Sequence, residues 1–498
     1  MKKRLISTAL FLALLLSAVS CGGTTAPTDG TSGETETSAP EDTSPKYADD
    51  LPSDLRFDGK TVTFLYREEV SNEFFADQAD GDVVNDAIFD SFRNVEERLG
   101  VDINVVKRPG HYTDVRQEYM NHITSTILAG DSEYDFVDLM IGNSPVLMQQ
   151  GIFHDLAQNK YIDLDKPYYL GGLMDQGAID GKLFFVSGDA SLGYMKCAFA
   201  MYFNQRLVED FGIENPYDIV DAGKWTLDKV AEIASAASQD IDGNSKYNIE
   251  DKLGFVVHDW NHPKGFWAST ESVMYSRDSS GEWKFTYGSE HDIDVVNKLY
   301  NLIYANEGSW FPDISNAVPE NQELYGKISA KFASGEIFIM TAEIDDSVSQ
   351  LRDMKDAYGI LPYPKADENQ KEYVSSARNT HNAFSMPITC EDPDMAGAVL
   401  EALSSSNHDT VLPAYFETAL KKKYARDDDS ARMYDIIRDS MKLDFGYLFG
   451  NAIGNPESIF VDSYKKENSL ASNVAKNQKR LDQALAKYLE NLRATFTE

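Results

Sequence analysis

The chain has 498 residues, and its 81 acidic against 46 basic side chains leave a formal net charge of −35 at pH 7. That balance argues against a nucleic-acid partner, because a polyanion is bound by neutralising Lys and Arg. With 42% hydrophobic and 11% aromatic residues the body is ordinary globular material, longer than one core usually serves, so two lobes are expected.

At the start of the chain, Met1-Lys2-Lys3-Arg4 is a short basic head, and Leu5 to Ser17 is an apolar run broken only by Ser7 and Thr8. Ala18-Val19-Ser20 then sets small residues before Cys21. This is the order of a secretory signal, and the run is shorter than the roughly 20 apolar residues of a membrane span. An uncleaved signal anchor is the alternative. The cysteine directly after small residues resembles a bacterial lipobox, with Ala18 where leucine usually stands. The resemblance implies lipidation of Cys21 and a protein exported to the outer face of the cell membrane, held there through its lipid anchor only. Residues 1–21 are therefore set apart as signal and lipidation site. Residues 22–56 follow as a spacer, because Gly22 to Asp50 is almost entirely Gly, Thr, Ser, Pro, Ala and acids, too poor in apolar surface to order itself. Its reach is roughly 30 Å. No later run approaches 18 apolar residues. Two further cysteines, Cys197 and Cys390, make no disulfide scaffold and are expected as buried free thiols, with a bridge between them as the other reading.

In the body, Thr61 to Tyr66 reads as a strand and Val84 to Leu99 as a helix, with Ile88, Phe92, Val95 and Leu99 at helical spacing and Gly100 as its C-cap. Val101 to Lys107 is a second strand, Tyr119 to Leu128 a helix ended by Gly130, and Asp135 to Ile141 a third strand. Later come a helix over Thr226 to Ser238, a strand at Phe255-Val256-Val257, a helix near Asp294 to Ala305, a strand at Ile337 to Met340 and a long amphipathic helix over Ser472 to Thr495. Strands separated by helices imply βαβ units around mixed or parallel sheets.

Seven segments occur in a telling order: Tyr134 to Leu139, Gly151 to Leu156, Asp180 to Val186, Met201 to Leu207, Gly223 to Asp228, Lys331 to Glu336 and Tyr358 to Pro364. Together they resemble the extracellular solute-binding proteins of the maltose-binding type, the substrate-capturing lipoproteins of ABC importers, over residues 57 to 498. The resemblance implies an α/β, two-lobed, periplasmic-binding-protein-like fold of type II with the ligand in the cleft between lobes. Lobe 1 would comprise 57–197 plus 385–425, and lobe 2 would comprise 198–384 plus 426–498. The chain would cross near Cys197-Ala198, return near Phe384-Ser385-Met386-Pro387 and leave again near Arg426. A monomer is implied, with a small-molecule ligand, a sugar, and permease subunits as partners. An oligopeptide receptor and a surface glycan-degrading enzyme are the competing classes; for the enzyme, no sequence feature selects a carboxylate pair.

Similarity places the second-lobe wall of the cleft on His258 to His262, Phe266 and Trp267, with Asp259 and Trp260 inside that run. Tyr66, Arg67, Glu68, Asn143 and Ser144 would contribute from the first lobe. Thr341 and Glu343 would follow the strand at 337–340, and Arg378, Asn379 and His381 would precede the second crossing. Aromatic rings suit the apolar faces of sugars, and convergent polar groups suit their hydroxyls; buried core or plain solvation is the bland reading of each. His258-Asp259-Trp260-Asn261-His262 superficially matches the zinc pattern H-E-x-x-H. Asp replaces Glu there, and Pro263 and Gly265 oppose the helix which that pattern needs, so no metal is expected on it.

Asp240 to Asp251 has oxygen side chains at Asp240, Asp242, Asn244, Asn248 and Asp251, with Lys246 where only a backbone carbonyl is required. That is the ligand spacing of an EF-hand-type calcium loop, and it resembles the dockerin variant; Ser245 stands where glycine makes the sharp turn. Structural calcium and a metal-free polar turn both fit. No cofactor is required by any motif.

Overall fold

The computed structural model describes residues 49–312, 319–351, 354–416, 420 and 428–496, with 319–322 described for the backbone only. The signal segment, Cys21, residues 22–48 of the spacer and the crossing expected near Arg426 lie outside the described residues. Two sheets organise the rest. In the first, Lys60–Arg67 runs parallel to Val101–Arg108 and to Phe136–Met140, and Asn382–Ser385 pairs antiparallel with Phe136–Met140. The second sheet is ordered Tyr358–Leu361, Phe199–Asn204, Ile337–Glu343, Leu253–Val256, Ser309–Trp310. Phe199–Asn204 is antiparallel to both neighbours, while Leu253–Val256 is parallel to both of its own. These are the floors of two α/β lobes.

Local chemistry explains the elements. Asp82 accepts from the N–H groups of Val84 and Asn85 and so starts the helix Val83–Leu99. Gly100 ends it with φ 60, in the left-handed region, and donates its N–H to Glu96 O before the next strand begins at Val101. The helix Thr113–Leu128 begins six residues ahead of the expected Tyr119, because its polar first turns carry no apolar period. Ser289 and Asp292 form a capping box for Glu290–Tyr300, after which the chain widens into a π turn at Asn301–Ala305. Phe199–Asn204 is buried at every residue, so periodicity did not mark it as a strand.

In the first lobe, Phe64 stacks on Phe136 at 5.3 Å and meets Phe384 edge-on at 5.7 Å. In the second, Phe266 meets Tyr363 edge-on at 4.8 Å, and the buried Trp225 donates its indole N–H to Pro362 O at 2.9 Å. Cys197 and Cys390 are free thiols, and Cys390 Sγ donates to Asp135 Oδ1 at 3.3 Å.

The lobes meet at a waist of paired backbone. Phe199 N–H donates to Ser376 O and Arg378 N–H to Cys197 O, both at 2.9 Å. On its other side the same segment is bracketed by Ser375 N–H to Ser440 O at 3.0 Å and Lys442 N–H to Ser375 O at 2.9 Å. One passage is therefore at Cys197-Ala198. The return expected at Phe384 to Pro387 comes earlier, at 376–381, because Asn382–Ser385 already lies in the first sheet. The last helix, Leu470–Ala494, reaches both sides: Tyr488 donates its hydroxyl to Pro145 O at 3.0 Å, and Arg493 pairs with Asp180 and Glu282.

Beside the waist lies the buried pair of Arg67 and Asp138. Nε donates to Asp138 Oδ2 at 2.7 Å, Nη2 to Oδ1 at 3.2 Å, and Nη1 to Thr380 O at 3.0 Å on the returning segment. Removing one member of such a pair leaves a buried charge unpaired. Asp138→Ala should therefore cost about 3–5 kcal/mol of folding stability in chemical denaturation. The exposed pair of Lys60 and Asp392, 2.9 Å apart, should be removable with little effect. Equal losses in the two variants would refute this ranking.

Candidate functional site

The strand Leu253–Val256 continues through Val257 to His258, whose N–H donates to Thr341 Oγ1 at 3.0 Å. Asp259 Oδ1 then accepts from Asn261 N–H at 2.7 Å, a turn that sets Trp260 half-buried at the lobe junction. Glu343 ends the strand Ile337–Glu343, and the waist delivers Arg378. Arg378 Nη2 pairs with Glu343 Oε1 and lies 3.6 Å from Asp259 Oδ1. Burial disfavours the guanidinium charge, but the two carboxylates outweigh it and hold Arg378 above its ordinary range. Burial likewise pushes Asp259 up, and the Arg378 charge overcomes that and holds it below the usual carboxylate range. Arg378 and Asp259 are therefore both charged at neutral pH.

Next to them stands the helix Lys264–Ser269. Lys264 Nζ lies 5.0 Å from the Trp260 ring centroid and 5.9 Å from that of Tyr447, a cation between two aromatic rings. Burial lowers its pKa from the ordinary value. A cavity of about 30 Å³ lies among Ile141, Lys264, Trp267, Asn379, His381 and Tyr447. That holds a water or two, whereas ligand pockets start at about 300 Å³. A larger guest requires the lobes to part.

The expected site residues therefore divide. Asp259, Trp260, Glu343 and Arg378 come together. Trp267 is 2% exposed, packs against Tyr447 and Phe460, and lines the small cavity with Asn379 and His381. Asn143 Oδ1 accepts from Asn451 at 2.9 Å, and Ser144 is buried. Three others do not face the cleft as expected. Tyr66 is fully buried, stacked on Phe74 at 4.9 Å with its hydroxyl on Ser191 Oγ. The Arg67 guanidinium is committed to Asp138, Thr380 O and His111. Phe266 is core against Tyr363. Glu68 is exposed in a 3-10 turn. Sequence reading missed Lys264, although it lies between two residues that were singled out. It also missed Tyr447, which no local pattern marks.

Away from the cleft, one carboxylate oxygen from each of Asp240, Asp242 and Asp251 lies within 4.8 Å of the others. The neck of this loop is closed by the bridge between Gln239 and Lys252. Asp251 accepts from Ile241 N–H and Asn248 N–H, both at 2.9 Å, and Asp240 accepts from Gly243 and Ser245. Ser245 adopts φ 61, the left-handed turn for which glycine is the usual choice. Asn244 Oδ1 and Asn248 Oδ1 accept from the N–H groups of Lys246 and Glu250.

No protein-family model and no curated protein matches the chain. Among solved structures it is similar to the cyclic α-maltosyl-1,6-maltose binding protein from Arthrobacter globiformis, with TM-score 0.57 and 13% identity over 86% of this chain and 99% of that one. It is also similar to the galacto-N-biose-/lacto-N-biose I-binding protein of the ABC transporter from Bifidobacterium longum, with TM-score 0.55 and 12% identity over 86% and 98%. A sugar transporter from Rhizobium etli in an open conformation matches with TM-score 0.54 and 14% identity over 87% and 99%. The chain thus has the two-lobed fold of the maltose-binding type of solute-binding protein.

Proposed function

We propose that this chain is the substrate-binding lipoprotein of an ABC importer, which captures an extracellular oligosaccharide between its lobes and delivers it to membrane permease subunits. The observation that carries the reading is the junction itself. A half-buried indole, Trp260, with Lys264 Nζ 5.0 Å from its ring centroid, directly follows Asp259, whose carboxylate shares Arg378 with that of Glu343, on the seam between two separately built lobes. Aromatic face plus convergent hydrogen-bonding groups is sugar-binding chemistry. The similar solved structures include binders of a cyclic maltosyl-maltose and of lacto-N-biose, which supports the same class. The anchor we propose is the lipid on Cys21, which directly follows the small residues Ala18-Val19-Ser20; among the described residues no helix is long and apolar enough to cross a membrane.

Calorimetric titration with linear and cyclic α-glucans, lacto-N-biose and short peptides tests the ligand class. We expect heat from at least one sugar and none from the peptides, with the sugar recovered chemically unchanged. Trp260→Ala should lose about 1–3 kcal/mol of affinity, roughly ten- to a hundredfold. Peptide binding would favour the oligopeptide receptor, and accumulating product would favour the glycan-degrading enzyme.

Cell fractionation tests the anchor. Wild-type protein should partition with membranes with Cys21 lipidated, and Cys21→Ser should release it or leave an unprocessed precursor. Membrane-free wild-type protein with an unmodified thiol would exclude the anchor.

We also propose that the loop Asp240 to Asp251 holds a structural calcium through Asp240, Asp242, Asn244, the Lys246 carbonyl, Asn248 and Asp251. Three carboxylates gathered this closely repel one another unless a cation or solvent screens them, and Ser245 carries strain that a coordinated loop offsets. Calcium at about a hundred times its dissociation constant adds ~2.7 kcal/mol, a melting rise on the order of 3 °C for a body of this size. Asp240→Ala combined with Asp242→Ala should abolish the difference between calcium and chelator. Identical melting curves in wild type would leave a polar turn.

A further inference from the structure

The run from His258 to His262 does not form the helix that a zinc pattern needs, since the helix begins only at Lys264 after Pro263. The turn through Asp259 gathers the two imidazoles nevertheless. Their ring centroids are 5.7 Å apart, and both residues are buried, at 4% and 1% exposure. Asp346 joins from the segment after the strand Ile337–Glu343: one ligand atom from each of His258, His262 and Asp346 lies within 4.8 Å of the others.

The outer hydrogen bonds leave one nitrogen of each ring for this group. His258 Nε2 faces Tyr325 O at 3.2 Å and Ser329 Oγ at 3.0 Å, so it carries the proton that the carbonyl accepts. Its Nδ1 is buried without a hydrogen-bond partner. A buried imidazole nitrogen with no partner forgoes a hydrogen bond that it keeps in water, and native structures rarely leave one so. His262 Nδ1 is taken by Thr341 Oγ1 at 3.0 Å, which leaves Nε2, and Glu343 Oε1 stands 3.7 Å from that atom. A ring held by one nitrogen on a carbonyl or hydroxyl while the other stays open is how proteins orient metal-ligating histidines.

We propose that His258 Nδ1, His262 Nε2 and the Asp346 carboxylate form a binding site for a divalent cation of the zinc class. The chemistry selects that class. Two imidazoles suit zinc and its later first-row neighbours, whereas calcium and magnesium take oxygen ligands. A tetrahedral zinc sets its ligand atoms about 3.4 Å apart, so each group moves inward by less than about 1 Å to close the site. The carboxylate of Asp346 offsets part of the cation charge. The fourth position falls to water or to Glu343 Oε1, which Arg378 now pairs. Such an ion would pin the loop 258–262 to the segment 343–346 within the second lobe, directly behind the residues of the cleft.

The test uses the untagged full chain, stripped with chelator and titrated with zinc against a chromophoric competitor, then with cobalt as a spectroscopic probe. We expect one zinc per chain at this site and a tetrahedral cobalt spectrum. Binding should weaken at least about tenfold in His258→Gln and in His262→Gln. It should persist in Asp240→Asn combined with Asp242→Asn, which separates this site from the oxygen-lined loop. X-ray absorption at the zinc edge of the wild type should show two imidazoles, a measurement that does not depend on how the variants fold. Should the histidine variants unfold, Asp346→Asn is expected to show the same weakening. An oxygen-only shell, no zinc binding by the wild type, or equal affinity in folded variants overturns the proposal.

Discussion

The backbone pairing at the waist is the constraint on which the rest of the molecule depends. Cys197 to Phe199 and Ser376 to Arg378 hydrogen-bond to each other, and Ser375 is paired on its other side with Ser440 and Lys442. These bonds hold the positions of the two lobes while leaving each sheet a self-contained unit with its own aromatic core. Because the bonds are between backbones, side-chain substitution does not remove them directly. Bending about such a waist needs only small dihedral changes in a few residues.

Arg378 owes its role to that waist. Its N–H is one of the bonds that define the crossing, donating to Cys197 O at 2.9 Å, and its side chain organises Asp259 and Glu343 on the second lobe. Arg67 does the corresponding task on the first lobe, joining Asp138 to Thr380 O of the same returning segment. Two arginines thus fasten the returning chain from opposite sides. One is shut in the core, and the other lies at the cleft. Charge of the same kind becomes structural or available according to what closes over it.

Much of this architecture was legible in the chain. The helix Val83–Leu99 announced itself by four apolar residues at helical spacing and a terminal glycine, and the strand Val101–Arg108 by alternation. Strands buried on both faces, such as Phe199–Asn204 and Tyr358–Leu361, carry no such rhythm. For the site, proximity to strand ends picked out Asp259, Glu343 and Arg378, which the structure brings into contact, and Trp260 beside Asp259 in the chain. It failed for Tyr66 and Arg67 because their burial depends on Phe74, Ser191 and Asp138, partners that local pattern does not reveal. The gathering of His258 and His262 was hidden for a related reason: spacing along a helix was the wrong test for residues brought together by a turn.

On the proposed function, a ligand larger than the small cavity at the junction enters only where the lobes part, and several contacts between them are of modest strength. Arg493 joins Asp180 to Glu282 through side chains that are all more than a third exposed, and exposed pairs contribute about 0–1 kcal/mol. Asn451 donates to Gly142 O and Asn143 Oδ1 at 3.0 and 2.9 Å, groups that water can satisfy once the lobes separate. The stacking of Phe184 on Phe496 at 5.7 Å is the aromatic contact at this edge. A ligand that gains more from the closed junction than these contacts supply shifts the balance between the two states by that difference alone.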